Sequence, residues 1–420
     1  MGGIAAKAFV KKNGLASNDS GKIQRIFSLS GLNVKDGKDT LTTQLVRKKQ
    51  YDWGWEYKYR IPLGRSFDDY LAKLKSLEDG LNNRRKRITF ADLSKVQLDR
   101  DILENLRTLW TNKLTDRKEI ELAYDGLLIV RIYNEPMPKE VPFVAGKGWQ
   151  VPVGITRDKN TFKHHDFEKI PHMVLGGATR YGKSNFINAM ITSLIQSQPD
   201  NVHFYLIDLK GGVELCDYEN VKQTQSIAYE PEEALATLQS AYEKMRELQR
   251  QLRTKGKKNV QEGGIKERFF IIIDEVGELN PLEAVTKEEK KLKLECQTLM
   301  SQIARLGAGL GFRQILATQY PTGDVIPRQC KQNSDAKLSF RVQSATASRV
   351  VLDETGAELL PPIKGRAIYQ TADRREIVQT TLINSEIIRE TIEPHKGAPK
   401  VAIEKVESAR RADTVTFTQV

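Results

Sequence analysis

Gly177-Ala178-Thr179-Arg180-Tyr181-Gly182-Lys183-Ser184 fills every position of the pattern G-x-x-x-x-G-K-[ST], and its flanks supply the setting that pattern needs. Upstream, Met173-Val174-Leu175 reads as a short buried strand. Downstream, Phe186, Ile187, Met190, Ile191 and Leu194 recur at helical spacing over residues 185–195. Gly177 and Gly182 let the loop turn so that the N–H groups of Ala178, Thr179, Arg180 and Tyr181 point at phosphate oxygens. Lys183 then reaches the β/γ-phosphates, and the Ser184 hydroxyl is placed to ligate Mg²⁺. The helix N-terminus adds its dipole to anion binding. The loop identifies a nucleoside triphosphate site, and alone leaves open what hydrolysis moves.

Around it, short apolar runs alternate with helical patterns, the mark of a mostly parallel sheet. Strands are expected at 204–207, 269–273, 315–318, 338–342 and 366–369. Pro231 opens a long helix with Leu235, Leu238, Tyr242, Met245, Leu248 and Leu252 along one stripe, and a charged helix runs over 287–305. Phe269-Phe270-Ile271-Ile272-Ile273 ends in Asp274-Glu275, and a buried strand delivers its last residues to the ligand edge of such a sheet. Asp274 is expected to hold Mg²⁺ through water, and Glu275 to orient and deprotonate the attacking water. Ala317-Thr318-Gln319 ends another strand, placing Gln319 to touch the γ-phosphate or the water. A polar turn, Asp208 to Leu215, follows the 204–207 strand at the same edge.

The N-terminal third has a different texture. Residues 1–50 carry ten Lys/Arg against three acids, supplying more than half of the chain's net charge of +12. They lack a sustained apolar period and read as a flexible basic segment, either an arm for a polyanion or a solvated tail. Trp53, Trp55, Tyr57 and Tyr59 alternate at strand period; core packing against a helix is favoured over base stacking. Helices over 66–77 and 99–111 and a strand over 127–133 complete a small α/β module, residues 51–135. Residues 136–166 read as a connector, 167–385 as the motor domain and 386–420 as a loose C-terminal tail.

Composition excludes several classes. No run approaches the roughly 18 apolar residues of a membrane span, and the N-terminus lacks the apolar core of a secretion signal. Three separated cysteines fit cytoplasmic thiols rather than a disulfide framework or zinc site. His164-His165-Asp166 reads as a solvated loop in preference to a metal site.

The chain resembles the FtsK/SpoIIIE family of DNA translocases over roughly residues 165–372. The resemblance is carried by Pro171 to Gly177, the run from Asp208, Ile272-Ile273-Asp274-Glu275, Leu316 to Pro321 and Ser348-Arg349-Val350-Val351-Leu352-Asp353. Asp208 to Gly212, Tyr320-Pro321-Thr322 and Pro327 to Asn333 are similar to coupling proteins of Gram-positive conjugative plasmids and integrative elements. Tyr59 to Gly64 and Glu78 to Asn83 extend that similarity upstream.

The resemblance implies an α/β fold with a RecA-like P-loop ATPase core. It also implies ATP and Mg²⁺ as cofactors and a ring, commonly hexameric, that threads double-stranded DNA. Arg349 matches a family position for an arginine supplied to a neighbouring subunit's γ-phosphate, with Arg341 and Arg305 as further candidates. Before Leu316 this chain reads Ala308-Gly309-Leu310-Gly311 where the family often has Arg-Ala-Ala-Gly. Family members commonly carry membrane helices or a C-terminal winged-helix domain, and only about 40 residues follow the last motor strand here. The expectation is a cytoplasmic, conjugative coupling-type translocase, peripheral at the membrane only through a partner such as a relaxase or transfer-channel protein. A plasmid or phage segregation or packaging motor, and a nucleotide-switched docking adaptor, are the alternatives. Lys210, Arg328 and Lys331 are expected DNA contacts.

Overall fold

The computed structural model describes residues 19–82, 118–157, 162–319 and 325–397. It divides into two compact units: Met1–Pro138 with Arg157–Asn160, and Lys139–Thr156 with Thr161–Val420.

The first unit begins with helix α1 (Ser20–Leu29) and a small hairpin, β1 (Val34–Asp36) and β2 (Asp39–Leu41). Strands β3 (Gln44–Tyr51) and β4 (Gly54–Arg60) follow, then helices α2 (Phe67–Leu71) and α3 (Leu74–Asn82), then β5 (Glu119–Tyr124) and β6 (Leu128–Tyr133). The four longer strands form an antiparallel sheet in the order β3-β4-β6-β5. Ser66 and Asp69 form a capping box at α2, the Ser66 N–H donating to Asp69 Oδ2 at 2.8 Å.

Residues 19–50 correct the expectation of a flexible segment; residues 1–18 lie outside the described residues. Ile23 and Phe27, one turn apart on α1, are buried against Tyr59 and Tyr70, with Phe27 edge-on to both rings. Asp19 is buried and pairs with Lys22 and with the distant Lys118. These partners come from far along the chain, so a short window of composition does not reveal them. The alternating aromatics share a face but differ along it: Tyr57 and Tyr59 are fully buried, as core packing requires, whereas Trp55 beside them and Trp53, in the turn before β4, are half-buried. The expected helix over 66–77 is two helices, and the one over 99–111 lies outside the described residues.

The second unit carries one large sheet. Its elements are β7 (Gln150–Thr156), β8 (Phe162–Asp166), β9 (Met173–Gly176), α4 (Lys183–Ser197), β10 (Val202–Ile207), β11 (Thr224–Ala228) and α5 (Pro231–Thr254). They continue with β12 (Arg268–Ile273), α6 (Lys287–Leu306), β13 (Phe312–Thr318), α7 (Arg328–Gln332), β14 (Ala336–Phe340) and α8 (Ala345–Leu352). The unit closes with β15 (Arg366–Thr371), β16 (Arg374–Gln379) and α9 (Ser385–Ile392).

The strand order is β11-β10-β12-β13-β9-β14-β15-β16-β7-β8. The first six run parallel and the last four join antiparallel. Because both faces are covered, β12 is buried at every residue. Its side chains alternate between two cores: Phe269, Ile271 and Ile273 pack with α5 and α6, Phe270 and Ile272 with α4.

Two further expectations change. Within 136–166, Val151 and Val153 are fully buried in β7, and β7 and β8 extend the sheet rather than connecting domains loosely. Residues 385–392 are helical, with Ile388 and Ile392 buried in the α4-side core; residues 398–420 lie outside the described residues. His165 is likewise no loop residue. It is fully buried on β8, its Nε2 donating to the Ile170 carbonyl at 3.0 Å and its Nδ1 2.8 Å from the Tyr369 hydroxyl. That is the bonding of a neutral imidazole, and burial lowers its pKa to about 4. No metal-binding cluster occurs among the described residues.

At the end of the sheet where the parallel strands begin, Glu168 holds two buried arginines. Its Oε1 lies 2.7 Å from Arg268 Nε and 2.8 Å from Arg313 Nη2. Burial alone would raise the Glu168 pKa. The two guanidiniums more than offset that and lower it to about 2.

Candidate nucleotide site

All parallel strands point one way, so Gly176, Ile207, Ile273 and Thr318 end at a single edge. The loop over 177–184 leaves β9 there and enters α4 at Lys183. Three backbone bonds pin it: the Gly177 N–H to the Thr318 carbonyl, the Ala178 N–H to Arg341, and the Gly365 N–H to Tyr181. Gly182 has φ +120°, and a Cβ there would come 3.1 Å from the Phe340 ring and 3.2 Å from the Gly365 nitrogen. Only glycine fits that turn without displacing neighbours. Arg180 adopts φ +72°, a left-handed conformation rare outside glycine, and its side chain is exposed.

Lys183 Nζ is buried and lies 2.8 Å from Asp274 Oδ1 and 2.6 Å from the Asp274 carbonyl. Asp274 Oδ2 is buried without a hydrogen-bond partner among the described residues. An orphaned carboxylate oxygen is what a cation site would use, and Ser184 lines the adjoining cavity. Glu275 Oε2 accepts the Gln319 N–H at 2.9 Å. Burial raises the Glu275 pKa, opposed by the Lys183 charge.

Gln319 Oε1 accepts from the Thr179 hydroxyl at 3.0 Å and also from Lys210 Nζ. Lys183, Ser184, Asp274, Glu275, Gln319 and the loop are therefore brought together. Asp208 is not part of the cavity lining. Its Oδ2 accepts the N–H groups of Glu214 and Leu215, closing the turn that carries Lys210.

The cavity over the loop is about 730 Å³, ample for a nucleotide. Its second wall went unread in the sequence. Ile363, Gly365, Thr380, Thr381 and Leu382 line it from the turns flanking β15 and β16. Asn185 ties that wall to α4, donating to the Thr381 carbonyl at 2.6 Å and accepting from the Ile383 N–H at 3.2 Å. The wall is made of turns and small hydroxyls, which carry no motif.

The side chains of the candidate arginines do not line the cavity. Arg349 is exposed on α8 and does not line the cavity of its own chain. Arg305 is exposed in the last turn of α6. Arg341 donates to the Leu360 carbonyl. Of the expected DNA contacts, Lys210 is engaged at the nucleotide site and Lys331 pairs with Asp353 at 2.6 Å, while Arg328 is exposed. No helix among the described residues is long and apolar enough to cross a membrane.

The chain has similar proteins of known name. The model of the FtsK/SpoIIIE family matches residues 147–308. The DNA translocase FtsK of Chlorobaculum tepidum is 34% identical over 221 residues, 49% of this chain and 26% of that protein. That of Mycobacterium tuberculosis strain H37Rv is 30% identical over 258 residues, 59% of this chain and 30% of that protein. The chain thus spans under a third of the length of these curated relatives.

Among solved structures, the pCW3 conjugation coupling protein TcpA, a monomer form with ATPgS, aligns with a TM-score of 0.59 at 21% identity. The match covers 90% of this chain and 99% of that one. The cytoplasmic domain of the Thermomonospora curvata type VII secretion ATPase EccC aligns at 0.51 and 22%, covering 63% of this chain and 32% of that one. These structures share the mixed α/β fold with its large, mostly parallel sheet. Through residues 147–308 the chain is similar to the FtsK/SpoIIIE family.

Proposed function

We propose that this chain is an ATP-driven translocase of double-stranded DNA serving a conjugative element. The convergence of Lys183, Asp274, Glu275 and Gln319 on one phosphate loop carries the reading. The names of the FtsK relatives and of the coupling protein TcpA support the substrate and the setting.

In this reading loop N–H groups and Lys183 bind the triphosphate. Ser184 and Asp274 would hold Mg²⁺, which supplies neutralisation of phosphate charge when bound. Glu275, its Oε2 held by the Gln319 N–H, orients a water and takes its proton as the water oxygen bonds to the γ-phosphorus. The bond to the β,γ-bridging oxygen breaks and ADP leaves. Arg349, exposed on α8, is available to a neighbouring copy in a ring, most simply a hexamer. DNA grip through phosphates makes binding salt-sensitive and sequence-tolerant. The protein works on the cytoplasmic side, reaching the membrane or a relaxase through partners.

Triplex displacement tests this: ATP should drive removal of a third strand from duplex DNA, and Lys183→Ala should abolish it. ATP-dependent binding without displacement points instead to a docking adaptor. An ATPase indifferent to DNA points to protein export, the setting named for the type VII secretion ATPase EccC.

A further inference from the structure

Gln319 has two chemically opposite ends, and the one facing the cavity decides whether it attracts a phosphate. An amide carbonyl repels phosphate oxygens, whereas the –NH₂ end donates to them. The side chain is nine-tenths buried and lines the cavity. Its Oε1 is held by Thr179 and Lys210, and its Nε2 has no hydrogen-bond partner among the described residues.

The two holders are not equivalent. The Thr179 hydroxyl donates or accepts, so alone it tolerates either orientation of the amide. The Lys210 ammonium has three donors and no acceptor, so it tolerates only the orientation with Oε1 toward it. The turn fixes this lysine. Asp208 accepts from Glu214 and Leu215, and Gly211 and Gly212 adopt φ +82° and +64°. A Cβ at Gly212 would come 2.5 Å from the Tyr229 ring. At its other end Gln319 is anchored by its own N–H on Glu275.

We propose that Lys210 is a positioning residue for γ-phosphate recognition: it sets the Gln319 amide so that Nε2 faces the terminal phosphate. The proposal rests on reading the cavity as an ATP site. It assigns to Lys210 a place in nucleotide sensing rather than in DNA contact. Lys210 is exposed, so replacing it leaves the packed core untouched.

The test measures equilibrium binding of ATPγS and ADP, both with Mg²⁺, to the full chain. The variants are Lys210→Met, Lys210→Arg, Gln319→Leu and the Lys210→Met/Gln319→Leu double. Lys210→Met should lower the ATPγS-over-ADP preference by about tenfold, the worth of one hydrogen bond to a charged group. ADP affinity should stay unchanged, and Lys210→Arg, also donor-only, should keep the preference. In the Gln319→Leu background the lysine substitution should have no further effect.

Additive losses in the double variant would mean that Lys210 touches the phosphate directly, and would overturn the proposal. So would an undiminished preference, or equal loss of ADP and ATPγS. A wild-type chain that binds neither nucleotide would refute the ATPase reading itself.

Discussion

Lys183 and Asp274 hold one another in a buried ion pair, 2.8 Å from Nζ to Oδ1, with a second bond from Nζ to the aspartate's own carbonyl. The side chain proposed to bind phosphate and the one proposed to hold the cation are thus one electrostatic unit. Removing either leaves the other charged in a dry site, at a cost of about 3–5 kcal/mol. Lys183→Ala should therefore lower stability as well as abolish turnover. Adding Asp274→Asn should recover much of the stability and none of the activity. Urea unfolding of the single and double variants decides it; a stable single variant would show that the pair carries little.

Glu275→Gln keeps the shape and the bond from the Gln319 N–H while removing the proposed base. ATP binding should persist and hydrolysis should fall by about 10²–10⁴. Single-turnover hydrolysis with bound radiolabelled ATP measures this. A variant that still turns over would move the base elsewhere.

Glu168 supports the far end of the sheet. In Glu168→Gln the almost wholly buried Arg313 loses its carboxylate, and destabilisation of about 3–5 kcal/mol is expected. The carboxyl is held near 2 in the fold against 4.5 for the free group. Its contribution is therefore complete above pH 4.5 and lost as pH falls toward 2. Denaturation midpoints across that window should fall for the wild type and stay flatter for the variant.

A second pH effect belongs to His165 and His172. Burial lowers them to about 4 and about 3, from 6.5 when unfolded. The unfolded chain takes up protons first, so stability present above pH 6.5 is lost as pH drops through 4. His165 alone accounts for about 3 kcal/mol of this. Unfolding at pH 7.5 and 5 should separate wild type from His165→Gln. Equal slopes would mean that His165 is not the titrating group.

The basic N-terminus needs a finer cut than its charge suggested. Removing residues 1–50 deletes α1 and three strands, and with them the partners of Tyr59 and Tyr70, so the first unit should unfold. Alanines at Arg47, Lys48 and Lys49, all exposed on β3, preserve the core. They should flatten the salt dependence of DNA binding by about one unit per lost phosphate contact. An unchanged slope would assign these charges to solvent.

Sequence alone revealed what local chemistry encodes. Strands buried on both faces produce apolar runs, so β9, β10, β12, β13 and β14 were each visible, and Asp274, Glu275 and Gln319 followed as their ends. Helix α1 was not, because Ile23 and Phe27 give a single thin stripe whose aromatic partners Tyr59 and Tyr70 lie more than thirty residues on. The wall from Ile363 to Leu382 was invisible for another reason: it becomes a wall only when Asn185 and the Tyr181 carbonyl fasten it to the loop. The bond from Lys210 to Gln319 spans 109 residues, and no window holds both.

The turn that carries Lys210 ends at Cys216, and of the three cysteines this one alone is exposed. Cys296 and Cys330 are buried, their thiols pushed up to about 12 and so inert to alkylation near neutrality. The unmodified chain is accordingly ready for labelling at one place. A maleimide dye on Cys216 would sit six residues from the lysine that sets Gln319, and its fluorescence could follow that turn through a catalytic cycle without any engineered residue.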